Sequence, residues 1–299
     1  MTPRAAPAVL RDVASLRAWR RVSAGEAGGA GGGSVGFVPT MGALHAGHGR
    51  LIERARAEND RVLVSVFVNP LQFDRQDDLA AYPRDLDADL ALCARLGVDA
   101  VFAPGVADLY PRRPLVRVDG GALGSVVEGA ARPGHFDGML TVVLKLLNLA
   151  GADRAYFGRK DAQQLALVRA MVADLDVPVE IVGVATERDP DGLAMSSRNR
   201  RLSPAERADA LAIPAALDAA RGAVAGGLGR ALAAARDRLA ASALRVDYVE
   251  LVDPVTFEVL APEAADTAGA GLLVIAAWAG PVRLIDNELL EAPAPARRA

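Results

Sequence analysis

Apolar positions along the chain follow two rhythms. Short, near-continuous β-branched runs alternate with longer stretches whose apolar residues recur at helical spacing. The clearest runs are Val35 to Val38 and Arg61 to Val68, the latter reading Arg-Val-Leu-Val-Ser-Val-Phe-Val. Such runs suit parallel strands buried on both faces. Val98 to Phe102, Arg154 to Phe157 and Val177 to Val184 continue the series, and Leu115 to Val118 reads as a short edge strand. Helices are predicted over Gly49 to Glu58, Pro83 to Leu96, Phe136 to Ala150 and Ala162 to Leu175. Val9 to Ser23 reads as one amphipathic helix through Leu10, Val13, Leu16 and Trp19. This alternation predicts an α/β class protein with a Rossmann-like, doubly wound parallel sheet and right-handed crossovers. Ligands in that architecture bind outside the carboxyl ends of the strands.

The rhythm changes after residue 186. Thr186 to Arg201 is polar, and Ser203-Pro204-Ala205-Glu206 has the form of a capping box with Pro at the first helical position. Two Ala-rich helices follow, near Pro204 to Arg221 and Gly229 to Ala241. Alternating strands then run over Val246 to Val252, Leu272 to Trp278 and Val282 to Asp286. These features predict a Rossmann-like domain over 1–187 and a smaller C-terminal α+β lid domain over 188–290. Residues 291–299, rich in Pro, Ala and Arg, read as a disordered tail. Gly25 to Gly33 has neither a preceding strand nor a following Lys-Ser/Thr, so it reads as a surface connector rather than a phosphate loop.

Composition narrows the choice. The 299 residues are 52% hydrophobic, enough for a large core in one or two domains. A net charge of −3 and an aromatic content of 4% argue against a nucleic-acid partner. The single cysteine, Cys93, excludes a disulfide framework and reads as a buried spacer. No run approaches the roughly 20 apolar residues that span a bilayer. Met1 to Leu10 lacks the form of a signal peptide, so a cytoplasmic protein is expected.

The chemistry centres on Val38-Pro39-Thr40-Met41-Gly42-Ala43-Leu44-His45-Ala46-Gly47-His48, which reads as strand, tight loop and helix start. Helix N-termini seat phosphate, and two of the chain's three histidines sit here. Gly47 leaves room for close backbone approach. The His-x-Gly-His spacing resembles the nucleotidylyl-transferase and class I synthetase superfamily. Met195-Ser196-Ser197-Arg198 resembles that superfamily's second, mobile phosphate-binding motif. Asp85, Asp87 and Asp89 spread around a helix and read as solvated surface rather than a magnesium site.

Further stretches narrow the resemblance. They are Phe67-Val68-Asn69-Pro70-Leu71-Gln72-Phe73, Tyr82-Pro83-Arg84, Glu128-Gly129 with Arg132 to Gly138, Asp153 to Gly158, Lys160-Asp161-Ala162-Gln163-Gln164 and Met195 to Asn199. Together they resemble the pantothenate synthetase (pantoate–β-alanine ligase) family, from about residue 35 to 202 and more loosely to 288. The resemblance implies that ATP, (R)-pantoate and β-alanine become pantothenate, AMP and pyrophosphate through a pantoyl adenylate. It implies an ATP site of Met41, Gly42, His45, Gly47, His48, Gly158, Arg159, Lys160, Asp161, Glu187, Met195, Ser196, Ser197 and Arg198. Gln72 and Gln164 would hold pantoate, with Asn69, Arg132 and His135 in support. His48, His45, Lys160 and Arg198 are the catalytic candidates, because a carboxylate attacking phosphorus needs positive charge and positioning rather than a base. Magnesium would arrive with the ATP phosphates and not on protein ligands, and a homodimer is implied. Gly49 and Glu187 depart from the family pattern: Gly49 weakens the helix start, and Glu187 occupies a slot that is usually apolar. The alternative is another nucleotidyltransferase of the same superfamily.

Overall fold

The structure, a computed structural model, describes residues 6–23, 25, 33–73, 79–80, 82–261 and 269–292. The glycine-rich connector between Gly25 and Gly33 and the tail beyond residue 292 lie outside the described residues. The chain divides into two compact units. One holds 1–159 and 167–185, the other 160–166 and 186–299.

The first unit is built on a six-stranded parallel sheet: β1 (Ala8–Leu10), β2 (Val35–Thr40), β3 (Arg61–Val66), β4 (Ala100–Phe102), β5 (Arg154–Gly158) and β6 (Glu180–Val184). Their spatial order is β1-β4-β3-β2-β5-β6. The chain therefore steps outward from β2 through β3 to β4, then returns to the other side of β2 for β5 and β6. That reversal is a topological switch point, and it lies between the carboxyl ends of β2 and β5. The apolar runs are buried on both faces, as their continuity predicts. Val38, Val62, Val64 and Val101 pack in one cluster with Leu51, Ile52 and Cys93. The residues between them, Phe37, Leu63 and Phe102, are equally buried.

Two sequence expectations need correction here. Val9 and Leu10 are not helical. They form β1, which pairs in parallel with β4 through Ala8–Ala100 to Leu10–Phe102. The helix, α1 (Val13–Ser23), starts only after Asp12, whose carboxylate accepts the Ser15 N–H at 2.7 Å. Leu115 to Val118 is not a strand. Pro111 and Pro114 interrupt the backbone there, Leu115 and Val116 are 84% and 83% exposed, and the Val118 N–H donates to Thr141 Oγ1.

The longer helices of this unit among the described residues include α2 (Ala46–Glu58), α3 (Leu86–Arg95) and α4 (His135–Ala150). A further helix, α5 (Ala162–Asp174), begins in the second unit and ends in the first. The second unit carries an antiparallel sheet, β7 (Arg245–Val252), β8 (Ala270–Ala279) and β9 (Val282–Glu291), in sequential order. Its helices are α6 (Pro204–Ala210), α7 (Ala212–Ala223) and α8 (Leu228–Ala240). The Ser203–Glu206 capping box is present. The single helix expected from Pro204 to Arg221 breaks at Leu211. Pro214 explains this, since it has no N–H to donate to the Ala210 carbonyl.

Candidate active site

The loop that leaves β2 at the switch point is tightly folded on itself. Gly42 and Ala43 are consecutive left-handed residues, with φ of +83° and +52°. Only glycine takes that region without strain, so Ala43 marks a turn held by its surroundings. The N–H groups from Gly42 to His45 and that of Gly47 have partners nearby. Gly42 donates to Thr40 Oγ1 at 3.1 Å, Ala43 to Asp89 Oδ2 at 3.0 Å and Leu44 to Asp89 Oδ1 at 2.7 Å. These N–H groups are therefore already engaged by acceptors of the protein itself.

The histidines complete the pattern. His45 is the N-cap of α2, and its Nδ1 accepts the Gly47 N–H at 3.2 Å. Nδ1 sits one bond beyond Cγ, as the Asn Oδ1 does, so the ring can do an asparagine's capping work. His48 answers from the third helical position, where its Nδ1 accepts the His45 N–H at 3.3 Å. This capping also explains why α2 starts at Ala46, three residues before the expected Gly49. With Nδ1 accepting in both rings, the proton of each neutral imidazole lies on Nε2. The ring centroids are 4.1 Å apart. The loop thus presents two neighbouring Nε2–H donors.

A second cluster lies after β3. Pro70 to Gln72 forms one 3₁₀ turn, capped by Asn69. Asn69 Nδ2 donates to Gln72 Oε1 at 3.1 Å and to the Gly138 carbonyl at 3.0 Å, and Tyr110 donates its hydroxyl proton to Asn69 Oδ1 at 3.2 Å. Gln72 Nε2 reaches Met41 Sδ at 3.1 Å, which joins this turn to the histidine loop. His135 Nδ1 lies 2.7 Å from the Gln72 carbonyl, so that nitrogen carries the proton. Its Nε2 then accepts from Arg132 Nη1 at 3.2 Å. Asn69, Gln72 and His135 are all buried. Gly158 ends β5 and Arg159 follows it, on the other side of the switch point. The Arg159 N–H bonds the Val184 carbonyl at 2.8 Å.

The other candidates belong to the second unit. Lys160 Nζ is 3.9 Å from Asp161 Oδ1, and its carbonyl accepts from Asn287 Nδ2 at 2.8 Å. Gln164 is half-buried in the first turn of α5. The Glu187 carbonyl accepts the Met195 N–H at 2.9 Å, so the segment folds back on itself. Ser196 caps the 3₁₀ stretch Ser197–Arg201 by accepting the Arg198 N–H, which leaves the Arg198 side chain exposed. Asn199 ties this stretch to Asp189 and to the Ala194 carbonyl. The first unit thus brings together Met41, His45, His48, Asn69, Gln72, Arg132 and His135.

Asp89 is the main correction among the acidic residues, being only 3% exposed. Asp85 caps α3, and Asp87 faces solvent. Asp89 lies four residues before Cys93, itself fully buried. That i, i+4 relation to an apolar position was the signal in the sequence that this carboxylate faces inward. Burial, reinforced by the Asp89 charge, pushes the Cys93 thiol up to about 12, in keeping with an inert spacer. Tyr110 and Gly138 were also missed. Their roles depend on partners distant in sequence. Among the described residues no group of three or more His, Cys, Asp or Glu can hold a metal ion. Among the same residues no helix is long and apolar enough to cross a membrane.

The family model described as pantoate-beta-alanine ligase matches residues 8–289. A pantothenate synthetase of Acidothermus cellulolyticus is 53% identical over 285 residues, covering 95% of this chain and 91% of its own. The crystal structure of pantothenate synthetase from Thermus thermophilus superposes with a TM-score of 0.85 at 47% identity, covering 96% of this chain and 100% of that one. Pantoate-beta-alanine ligase from Francisella tularensis, solved with beta-gamma ATP and beta-alanine, gives a TM-score of 0.77 at 34% identity, covering 95% and 98%.

Proposed function

The chain belongs to the pantoate-beta-alanine ligase family, and from that membership we propose that it condenses (R)-pantoate with β-alanine through an enzyme-bound pantoyl adenylate. It is an ATP-dependent, AMP-forming ligase that makes pantothenate. The observation that carries this reading is the family match over residues 8–289, which takes in both units.

The steps follow from the substrates. A pantoate carboxylate, ionised at neutral pH with an ordinary pKa near about 4, attacks the α-phosphorus of ATP. A new oxygen–phosphorus bond forms, the bond to the bridging oxygen breaks, and pyrophosphate leaves. The neutral amine of β-alanine then attacks the adenylate's carbonyl carbon. The carbon–oxygen bond to AMP breaks, and the nitrogen gives its surplus proton to solvent.

The protein's task is to place these groups and stabilise charge. His45 and His48 offer Nε2–H donors to the phosphate oxygens, with His48 on the departing pyrophosphate. Lys160 and Arg198 add positive charge. Met41, Gly42, Gly47, Gly158, Arg159, Asp161, Glu187, Met195, Ser196 and Ser197 line the ATP. Gln72 and Gln164 take the hydroxyls and carboxylate of pantoate, since amides both donate and accept. Asn69, Arg132 and His135 hold Gln72 in place. Magnesium enters with the ATP phosphates, and no step runs through a protein-held ion.

The reading extends to a cytoplasmic homodimer. A free, buried Cys93 suits a reducing compartment. Leu115 and Val116, exposed side by side, offer an apolar contact for a second copy. Sedimentation as a monomer at micromolar concentration would remove the dimer.

The deciding assay is AMP release from ATP and pantoate, with and without β-alanine. The proposal expects sustained release only with β-alanine, and His48→Ala to lower kcat by about 10²–10³-fold, the usual cost of one lost oxyanion donor. Pyrophosphate release with no AMP release on adding β-alanine would sink the ligase reading and favour a nucleotidyltransferase, which keeps the adenylylated product.

A further inference from the structure

The proposed chemistry needs two imidazoles held in one orientation, and nothing in it uses the carboxylate packed against their loop. We propose that Asp89 is a positioning residue for this site: its buried carboxylate fixes the left-handed turn at Gly42–Ala43 and so sets His45 and His48.

Four observations converge. Asp89 is 3% exposed in the first turn of α3, far in sequence from the loop. Its two oxygens each take one loop N–H, Oδ1 from Leu44 at 2.7 Å and Oδ2 from Ala43 at 3.0 Å. The turn these bonds close contains a non-glycine left-handed residue, Ala43, which persists only where the surroundings over-determine it. A Cβ built on Gly42 would come within 2.9 Å of Asp89 Oδ2, so the loop backbone lies directly against the carboxylate.

Residue type follows from the geometry. Two N–H groups arriving at two separate oxygens require two acceptors. Asparagine offers one acceptor and an NH₂ that would face an N–H donor. Aspartate is the side chain of this size that satisfies both. Other N–H groups of the loop bond its own neighbours: Thr40 takes the Gly42 N–H, and the two histidines take those of His45 and Gly47. Asp89 is the tie that reaches the turn from another helix. Removing it frees the turn that leads directly into the His45 cap.

The test uses Asp89→Asn, with Asp99→Asn as a control. Asp99 also accepts a backbone N–H, from Val62 at 2.7 Å, and an Arg56 contact, but it serves the opposite end of β3. Three readouts are taken: pantoate-dependent ATP–pyrophosphate exchange, AMP release from preformed pantoyl adenylate on adding β-alanine, and hydrogen exchange of the Ala43 and Leu44 amides. Asp89→Asn should slow the pyrophosphate exchange about 10²-fold, the scale of an ångström's misplacement. It should leave the second half-reaction within about twofold and speed the two amides at least about tenfold. Asp99→Asn should show none of these changes. Asp89→Glu, which keeps both oxygens, should recover part of the lost rate and is the variant to measure if the asparagine form does not fold.

Equal loss in both half-reactions, or loss matched by Asp99→Asn, would reduce Asp89 to a structural residue. Unchanged exchange of Ala43 and Leu44 would overturn the proposal outright. The kinetic arms rest on the proposed reaction, whereas the amide arm does not. A wild-type protein that releases no AMP would therefore sink that reaction while the amides still judge Asp89.

Discussion

Gly138 sits in the first turn of α4 with the 69–72 turn against it. A Cβ there would lie 2.0 Å from the Leu71 carbonyl oxygen, 2.4 Å from its carbon and 2.7 Å from the Gln72 nitrogen. These are backbone atoms, so no side chain can swing aside. Real Cβ contacts essentially never fall under 3.0 Å, and Gly138→Ala therefore forces the turn back by about 1 Å. That motion strains the Asn69–Gly138 and His135–Gln72 bonds, each with a net worth of about 1 kcal/mol, and adds an overpacking cost of about 1–3 kcal/mol. Replacing a helical glycine returns about 1 kcal/mol. The balance is a loss of about 1–4 kcal/mol, or several degrees in melting temperature at roughly 2–4 °C per kcal/mol. Gln72 moves with the turn, so kcat/KM for pantoate should fall about 10²-fold, with much less change in the KM for ATP. Steady-state kinetics with each substrate varied, beside a thermal melt, decides the matter. An alanine variant that melts at or above the wild type and keeps its pantoate kinetics would refute the steric argument.

Gly49→Ala should act in the opposite sense. A Cβ there meets only Leu96 Cδ1, at 3.5 Å, so helix propensity acts alone and the protein should gain up to about 1 kcal/mol, read as a higher urea midpoint. Stability should also fall as pH rises from 9 toward 12. Burial lifts Cys93, Tyr110 and Tyr156 to about 12 from ordinary values of 9.0, 10.0 and 10.0. Their neutral forms thus stabilise the fold fully below those ordinary values, and that stability is lost as pH climbs through the raised ones. Urea titrations across that range should show the decline, with a shallower slope in Tyr156→Phe, and a flat profile would contradict it.

The parts of the fold legible in the sequence are those whose cause is local. Arg61 to Val68 announces a strand buried on both faces because nearly every position is apolar or β-branched. The Ser203–Glu206 box announces a helix start because donor and acceptor lie three residues apart. β1 failed that test. Val9 and Leu10 join a helical pattern by spacing, and only pairing with Ala100 to Phe102 makes them a strand. Leu115 to Val118 failed in reverse, since its propensity meets no partner strand among the described residues. In the site, residue identities were legible and hydrogen-bond directions were not. His45 and His48 stood out by motif, yet nothing in the motif says that Nδ1 of each is tied to backbone. Asp89 was hidden because its partners lie some 45 residues away in sequence.

The directions matter more than the identities for what the cluster can do. Most polar groups in the first unit's cluster are turned onto one another by strong acceptors: a carboxylate for Ala43 and Leu44, and a carbonyl for Asn69 and His135. Gln72 differs. Its Oε1 accepts from Asn69, but its Nε2 rests on the Met41 thioether, a weak acceptor. An oxygen of a hydroxy acid brought to that NH₂ replaces sulfur with a stronger partner and leaves the bond from Asn69 in place. The Nε2–H groups of His45 and His48 are oriented by the same logic, with the Nδ1 side of each ring fixed. A site whose donors are aimed before the ligand arrives loses little to ordering on binding. In the proposed reaction the anion-facing role falls to three side chains, His45, His48 and Gln72. In each of these the surrounding network fixes one end of the polar group, and that fixed end sets the direction in which the other would meet a substrate.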